Sequence, residues 1–162
     1  MKYRFFAPWD WIVSLVTVLL LSFFGGLLFF TEQNLIPQIM YICIILICAL
    51  FGVYGYTIQN ESIHIIRLGW KKRIKITDIK KVEFIPNAMK KSIRTWGIGG
   101  AFGYIGYFNN RILGKYKAFA TNRKNTVILY LNSKENLYVL TPDKPEAFIE
   151  CLKKQMPNCI CE

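Results

Sequence analysis

At 162 residues the chain has room for one folded domain of ordinary size plus a membrane anchor, and its 21 Lys/Arg against 10 Asp/Glu leave a net charge of +11. Those averages merge two unlike parts: residues 1–56 carry only Lys2, Arg4, Asp10 and Glu32 as charges, while residues 57–127 hold 15 basic residues against Glu61, Asp78 and Glu83. A basic block directly after an apolar stretch favours a surface facing anionic lipid over one facing nucleic acid, with a solvated face kept for solubility as the plain alternative.

The first apolar run covers residues 11–30 and the second residues 35–56, separated by Glu32, Gln33 and Asn34. Roughly 20 helical residues cover the ~30 Å hydrocarbon core, so each run is long enough to span and the short polar turn predicts an antiparallel hairpin. A signal peptide is the rival for the first run, but its apolar stretch is too long and no small-x-small cleavage site follows. Lys2 and Arg4 before the first run, with Arg67, Lys71, Lys72, Arg73 and Lys75 after the second, put both termini in the cytoplasm by the positive-inside rule. Trp9, Trp11, Tyr54 and Tyr56 then form a cytoplasmic aromatic belt. Residues 1–56 are thus expected to be a transmembrane hairpin in the cell membrane, and residues 57–162 a cytoplasmic domain.

Beyond Tyr56 the pattern changes to short period-two segments: 62–68, 70–76, 81–85, 116–121, 126–131 and 137–140. Turn signals such as Gln59-Asn60, Leu68-Gly69 and Asn132-Ser133 separate them, which predicts an antiparallel sheet curling into a barrel or sandwich. The last element is a helix over about 144–156. Asp143 is placed to cap it, Pro145 fits its first turn, and Ala147, Phe148, Cys151, Leu152, Gln155 and Met156 share one face before Pro157 ends it.

Three features in order carry a resemblance over residues 54–156: Tyr56-Thr57-Ile58 with Arg67-Leu68-Gly69 and residues 74–79 leading to Val82; the glycine-aromatic run 97–107; and residues 141–148 opening the last helix. In these the chain resembles the bacterial PH-like (pleckstrin-homology-like) domain family, whose members often follow N-terminal membrane helices. The resemblance implies a barrel of about seven antiparallel strands capped by a C-terminal α-helix. It implies no activity, since fold alone does not supply one.

The run from Trp96 to Phe108 is the least ordinary segment. Read as a dinucleotide loop it fails on spacing, because counting from Gly97 and Gly99 the third glycine would fall at Phe102, and no βαβ unit surrounds it. Two readings stand: a glycine-bent connection whose aromatics pack on the barrel, or an interfacial loop flanked by Lys90, Lys91, Arg94, Arg111, Lys115 and Lys117. The cluster Lys71, Lys72, Arg73 and Lys75 lies close to the second span, either contacting headgroups or simply fixing orientation. The candidate contact set for membrane, lipid or partner is therefore Lys71, Lys72, Arg73, Lys75, Lys90, Lys91, Arg94, Trp96, Phe102, Tyr104 and Tyr107.

Catalysis has little support. His64 is the single histidine, Asp78 and Glu83 do not pattern as a pair, and no nucleophile motif occurs. Cys43 and Cys48 read as small hydrophobes in an apolar run, and Cys151, Cys159 and Cys161 as reduced thiols. Cys159-Ile160-Cys161-Glu162 has the outline of a prenylation box with a poor final residue. No metal, cofactor or nucleic acid is expected. The expected function is a membrane-anchored module binding protein or lipid headgroups at the cytoplasmic face. The alternative is an accessory subunit packing against another membrane protein through its hairpin, with Gly25, Gly26, Ala49, Gly52 and Gly55 as small contact residues.

Overall fold

The computed structural model describes residues 2–30, 35–132 and 137–156. It opens with an unexpected strand, β1 (Tyr3–Phe6), followed by two helices, α1 (Trp11–Phe30) and α2 (Leu35–Phe51). Then come β2 (Gly55–Gln59), β3 (Ser62–Ile66), β4 (Lys71–Lys75), a 3₁₀ turn at Ile76–Asp78 and β5 (Ile79–Phe84). The chain continues through β6 (Ile93–Gly99), β7 (Tyr104–Asn110), β8 (Gly114–Ala120), β9 (Val127–Leu131) and β10 (Leu137–Leu140) to α3 (Pro145–Lys153). The inter-helix turn at residues 31–34, the start of the Ser133 turn, Pro157, and the cysteines at 159 and 161 lie outside the described residues.

Helix α1 is long and apolar enough to cross a membrane, and little of it is buried by the rest of the protein. Helix α2 is shorter than the expected span of 35–56. Its 17 residues rise about 25 Å, against a hydrocarbon core of ~30 Å. It stops because the chain turns at Gly52, whose N–H bonds back to Ala49 O at 3.0 Å, while Tyr54 Oη donates to the same carbonyl at 3.1 Å. The helices touch through the Phe24 and Tyr41 rings, 5.7 Å between centroids.

In place of the one closed barrel of about seven antiparallel strands there are two sheets, ordered β1-β2-β3-β4 and β5-β9-β10-β8-β7-β6. One pair is parallel: β10 enters between β9 and β8 and runs in the direction of β8, with Val139 opposite Ala118. Strand β1 makes the edge of the four-stranded sheet, antiparallel to β2 with Phe5 opposite Tyr56. The close approach there requires a glycine, since a Cβ on Gly55 would lie 2.7 Å from Phe5 O. The four-stranded sheet thus uses chain from both sides of the two helices.

Period-two alternation divides the core in two. Ile58, Ile63, Ile65 and Ile74 from the four-stranded sheet meet Val127, Leu129, Phe119 and Leu140 from the six-stranded one, closed by Phe148 and Leu152 of α3. Residues of the opposite parity, Ala118, Ala120, Ile128 and Val139, face a second cluster with Met89, Tyr104 and Val13 of α1. In the first core Tyr56 is fully buried, donates to Phe119 O at 2.6 Å and accepts from Thr141 N–H at 3.1 Å. Burial pushes its ionisation up to about 12.

Asp143 does not cap α3. The residue at the cap position is Lys144, with no side-chain cap bond, and the helix ends earlier than expected at Lys153. The Asp143 carboxylate instead accepts from the Phe6 N–H at 3.2 Å, and its own N–H donates to Phe6 O at 3.0 Å. The acidic cap belongs to α1 instead. Asp10 Oδ1 accepts from Val13 N–H at 2.8 Å at the start of α1, a capping pattern with the usual spacing. Its Oδ2 accepts from Arg123 N–H at 3.3 Å and lies 3.8 Å from Arg123 Nε, tying α1 to the β8–β9 loop.

Candidate functional site

The glycine-aromatic run forms the β6–β7 hairpin. Gly97 and Gly106 face each other across it with φ of +112° and +134°, and a Cβ on either would fall on the opposing backbone, at Ile105 O or Trp96 O. Only glycine permits that pairing. The hairpin tip lies against the helices: Phe102 N–H donates to Thr17 Oγ1 of α1 at 3.0 Å, and the Phe102 ring stands edge-on to Trp9 at 5.9 Å. Phe102 and Tyr104 are accordingly only 8% and 5% exposed, within the protein. The Tyr104 hydroxyl is pushed up to about 12 by burial and then by the neighbouring Asp10 charge. Of the four aromatic candidates, Trp96 and Tyr107 are the exposed ones, at 76% and 50%.

Trp96 and Tyr107 share the core-facing side of the six-stranded sheet with Ile105, Lys117 and Phe119, because the cross-strand partners are Trp96 with Tyr107, Tyr107 with Lys117 and Ile105 with Phe119. At this β8-β7-β6 end the sheet is not fully covered, and an open groove of about 850 Å³ remains. Its other wall is the β3–β4 turn with Arg67, Trp70 and Lys72, and its upper edge is the end of α2, at Ile47 and Phe51. The Phe51 and Trp70 rings meet edge-on at 4.7 Å and join that second wall to the end of α2.

Among the described residues four cations line this groove, Arg67, Lys72, Arg94 and Lys117, and no carboxylate does. The Arg67 guanidinium lies 4.7 Å from the Phe119 ring centroid and 5.8 Å from that of Trp70. Its Nε is buried and makes no hydrogen bond among the described residues, and burial lowers its ionisation from the usual range. Lys117 Nζ sits 4.8 Å over the Tyr107 ring and 3.4 Å from its hydroxyl. A concave surface of aromatic walls and unopposed cations suits an anion attached to an apolar body.

Strand parity splits the candidate basic cluster. Lys72 follows Ile74 onto the groove side, whereas Lys71, Arg73 and Lys75 point the other way, where Arg73 Nε donates to Ser62 Oγ at 2.9 Å and faces His64 across the strands. His64 is held below its usual ionisation by burial, then by the Arg73 and Lys71 charges. Lys90 and Lys91 are exposed on the turn next to Met89, a residue of the second core. The groove therefore gathers Lys72, Arg94, Trp96 and Tyr107 from the expected set and adds Arg67, Trp70, Lys117 and Phe119. A signal for Arg67 exists in the sequence: Ile63, Ile65 and Arg67 share one parity, so the strand aims that cation inward. Among the described residues no group of three His, Cys, Asp or Glu is arranged to hold a metal.

The class these features define is a β-sheet interaction module, two sheets and a packed C-terminal helix, preceded by apolar helices. The family model described as the bacterial PH domain matches residues 54–156, well over half of the chain, and the chain belongs to that family. No curated protein and no solved structure matches it. The family supports an interaction role in general terms; what this chain holds is a matter for its own groove.

Proposed function

We propose that the chain is a membrane-anchored PH-like module that crosses the membrane with both helices, keeps both termini in the cytoplasm, and binds protein or lipid-headgroup anions at the cytoplasmic face. The observation that carries the reading is the pairing of β1 with β2. A chain that leaves a sheet at Phe6 and re-enters it at Gly55 starts and ends on one side of any membrane the helices cross. The excess of Lys/Arg on that side then favours the cytoplasm. The cation-lined groove supplies the binding surface, and Lys72, Arg94, Trp96 and Tyr107 are the contact residues retained from the sequence; Lys71, Arg73, Lys75, Lys90 and Lys91 serve as a general basic field toward the leaflet. Alkaline carbonate extraction of membranes, with a reporter fused at the C-terminus, tests the anchoring. The protein should stay in the membrane fraction and the reporter should read cytoplasmic; release into the supernatant or an external signal overturns the reading.

A second reading, the accessory subunit, is favoured by one observation. A Cβ on Gly25 or Gly26 would meet nothing within 4 Å, so these small residues are not used between α1 and α2 and leave a face open to another transmembrane helix. Gly52 and Gly55, by contrast, pack inside the protein against Phe102 and Phe5.

A further inference from the structure

We propose that the groove holds a single anionic phospholipid, with its phosphate on Arg67 and part of an acyl chain along Ile47 and Phe51, entering sideways from the leaflet. The inference rests on the reading that α2 lies in the membrane and deepens it by naming the ligand. Ile47 and Phe51 are both exposed on α2 and both line the groove, so the apolar wall of the site is continuous with the surface that lipid would cover. The same lining carries the cations. A ligand that satisfies both the cations and the apolar wall must join an anion to a hydrocarbon chain.

The chemistry at the cations fits a phosphate. Arg67 holds its guanidinium against the Phe119 and Trp70 rings, 4.7 and 5.8 Å from their centroids, and its buried Nε–H has no partner among the described residues. Planar guanidinium groups bind phosphate oxygens through paired charge-assisted bonds. Lys72 and Lys117 add point charges on either side, with no carboxylate in the lining to compete. Exposed Trp70 and Trp96 flank the mouth, and indole rings favour the headgroup level, where an apolar body and a polar N–H are both accommodated. A soluble acidic peptide would use the cations but would leave Ile47 and Phe51 unanswered. The volume, about 850 Å³, suits a headgroup and the start of a chain, the rest remaining in the leaflet.

Native mass spectrometry of the full chain in detergent tests this without requiring a bilayer. The probes are phosphatidylglycerol, phosphatidylcholine, glycerol 3-phosphate and an oligoglutamate peptide. One phosphatidylglycerol should be retained in preference to the other three. Arg67→Met, which keeps an apolar stem for the aromatic walls, and Lys117→Gln should each weaken retention by about tenfold, the scale of one charged hydrogen bond. Arg73→Met, the same charge change on the opposite face, should leave it unaltered. Equal loss in Arg73→Met would reduce the effect to general charge and overturn the site. Equal retention of phosphatidylcholine, or binding of glycerol 3-phosphate or the peptide as tight as that of phosphatidylglycerol, would likewise overturn the ligand class. Carbonate extraction of the same variants separates this failure from failure of the anchoring: a chain that stays in membranes yet retains no lipid refutes the ligand alone.

Discussion

Phe148→Ala probes the joint where the two sheets, the N-terminal strand and the last helix meet. Phe148 is fully buried, with its ring edge-on to Phe5 at 5.1 Å and to Tyr56 at 6.1 Å. Truncating a buried phenylalanine removes its transfer free energy and leaves a cavity, which together cost about 3–5 kcal/mol. Two aromatic neighbours lose edge-to-face partners as well, so the upper part of that range is expected. Against a total stability of roughly 5–15 kcal/mol, such a loss should lower the melting midpoint by on the order of 10–20 °C. The assay is thermal unfolding of the full chain in detergent, followed by the β-sheet circular dichroism. The full chain is needed because Phe5 comes from β1, ahead of the helices. Phe29→Ala, at an exposed position of α1, is the control and should leave the midpoint in place. A midpoint in Phe148→Ala equal to the control would mean that α3 is not docked over this core, and the packing account would fall.

Three further substitutions isolate other joints in the same melting assay. Tyr56→Phe keeps the ring but strips the hydroxyl from Phe119 O and Thr141 N–H, and should destabilise by about 1–3 kcal/mol; no change would mean that water satisfies both groups. Gly106→Ala should do more than its size suggests, since φ of +134° alone costs a non-glycine residue about 1–3 kcal/mol before any clash with Trp96 O; an unaltered midpoint and unaltered lipid retention would contradict the hairpin geometry. Asp10→Ala should lose about 1–2 kcal/mol from the α1 cap, with Asp10→Asn retaining most of it; equal losses in the two would show that the carboxylate charge toward Arg123, and not the cap, dominates.

The strands with clear period-two alternation were legible in the sequence, as were the last helix and the apolar character of both N-terminal runs. Ile63, Ile65 and Ile74 point to the core as their spacing requires, and Phe148 and Leu152 lie on the buried face of α3. Strand β1 was not legible, because in Tyr3–Phe6 only Phe5 is buried and its partner, Tyr56, lies beyond both helices. The parallel β8–β10 pair was equally hidden, since nothing local in Leu137–Leu140 says that it slots beside β8 instead of extending an antiparallel meander. The aromatics of the glycine run do not share one environment. Phe102 and Tyr104 are buried against α1, and Trp96 and Tyr107 are exposed in the groove, a distinction set by strand parity that composition does not carry. Asp143 misled for a physical reason: its carboxylate could satisfy either the first amides of α3 or the N–H of Phe6, and the edge strand took it.

Strand β1 also orders events during synthesis. It is made before both helices, yet Gly55–Ile58, the residues it pairs with, emerge only after both helices are complete. Until then Phe5 has no sheet to join. A chain whose first helix inserted while the second did not would hold β1 on one side of the membrane and β2 on the other. The sheet domain would then lack its edge strand and expose the face of Tyr56 and Phe148 that Phe5 covers. If both helices cross the membrane as proposed, correct insertion and correct folding become one event, and a wrongly threaded molecule carries the mark of its error as an open, apolar sheet edge that proteases and chaperones recognise.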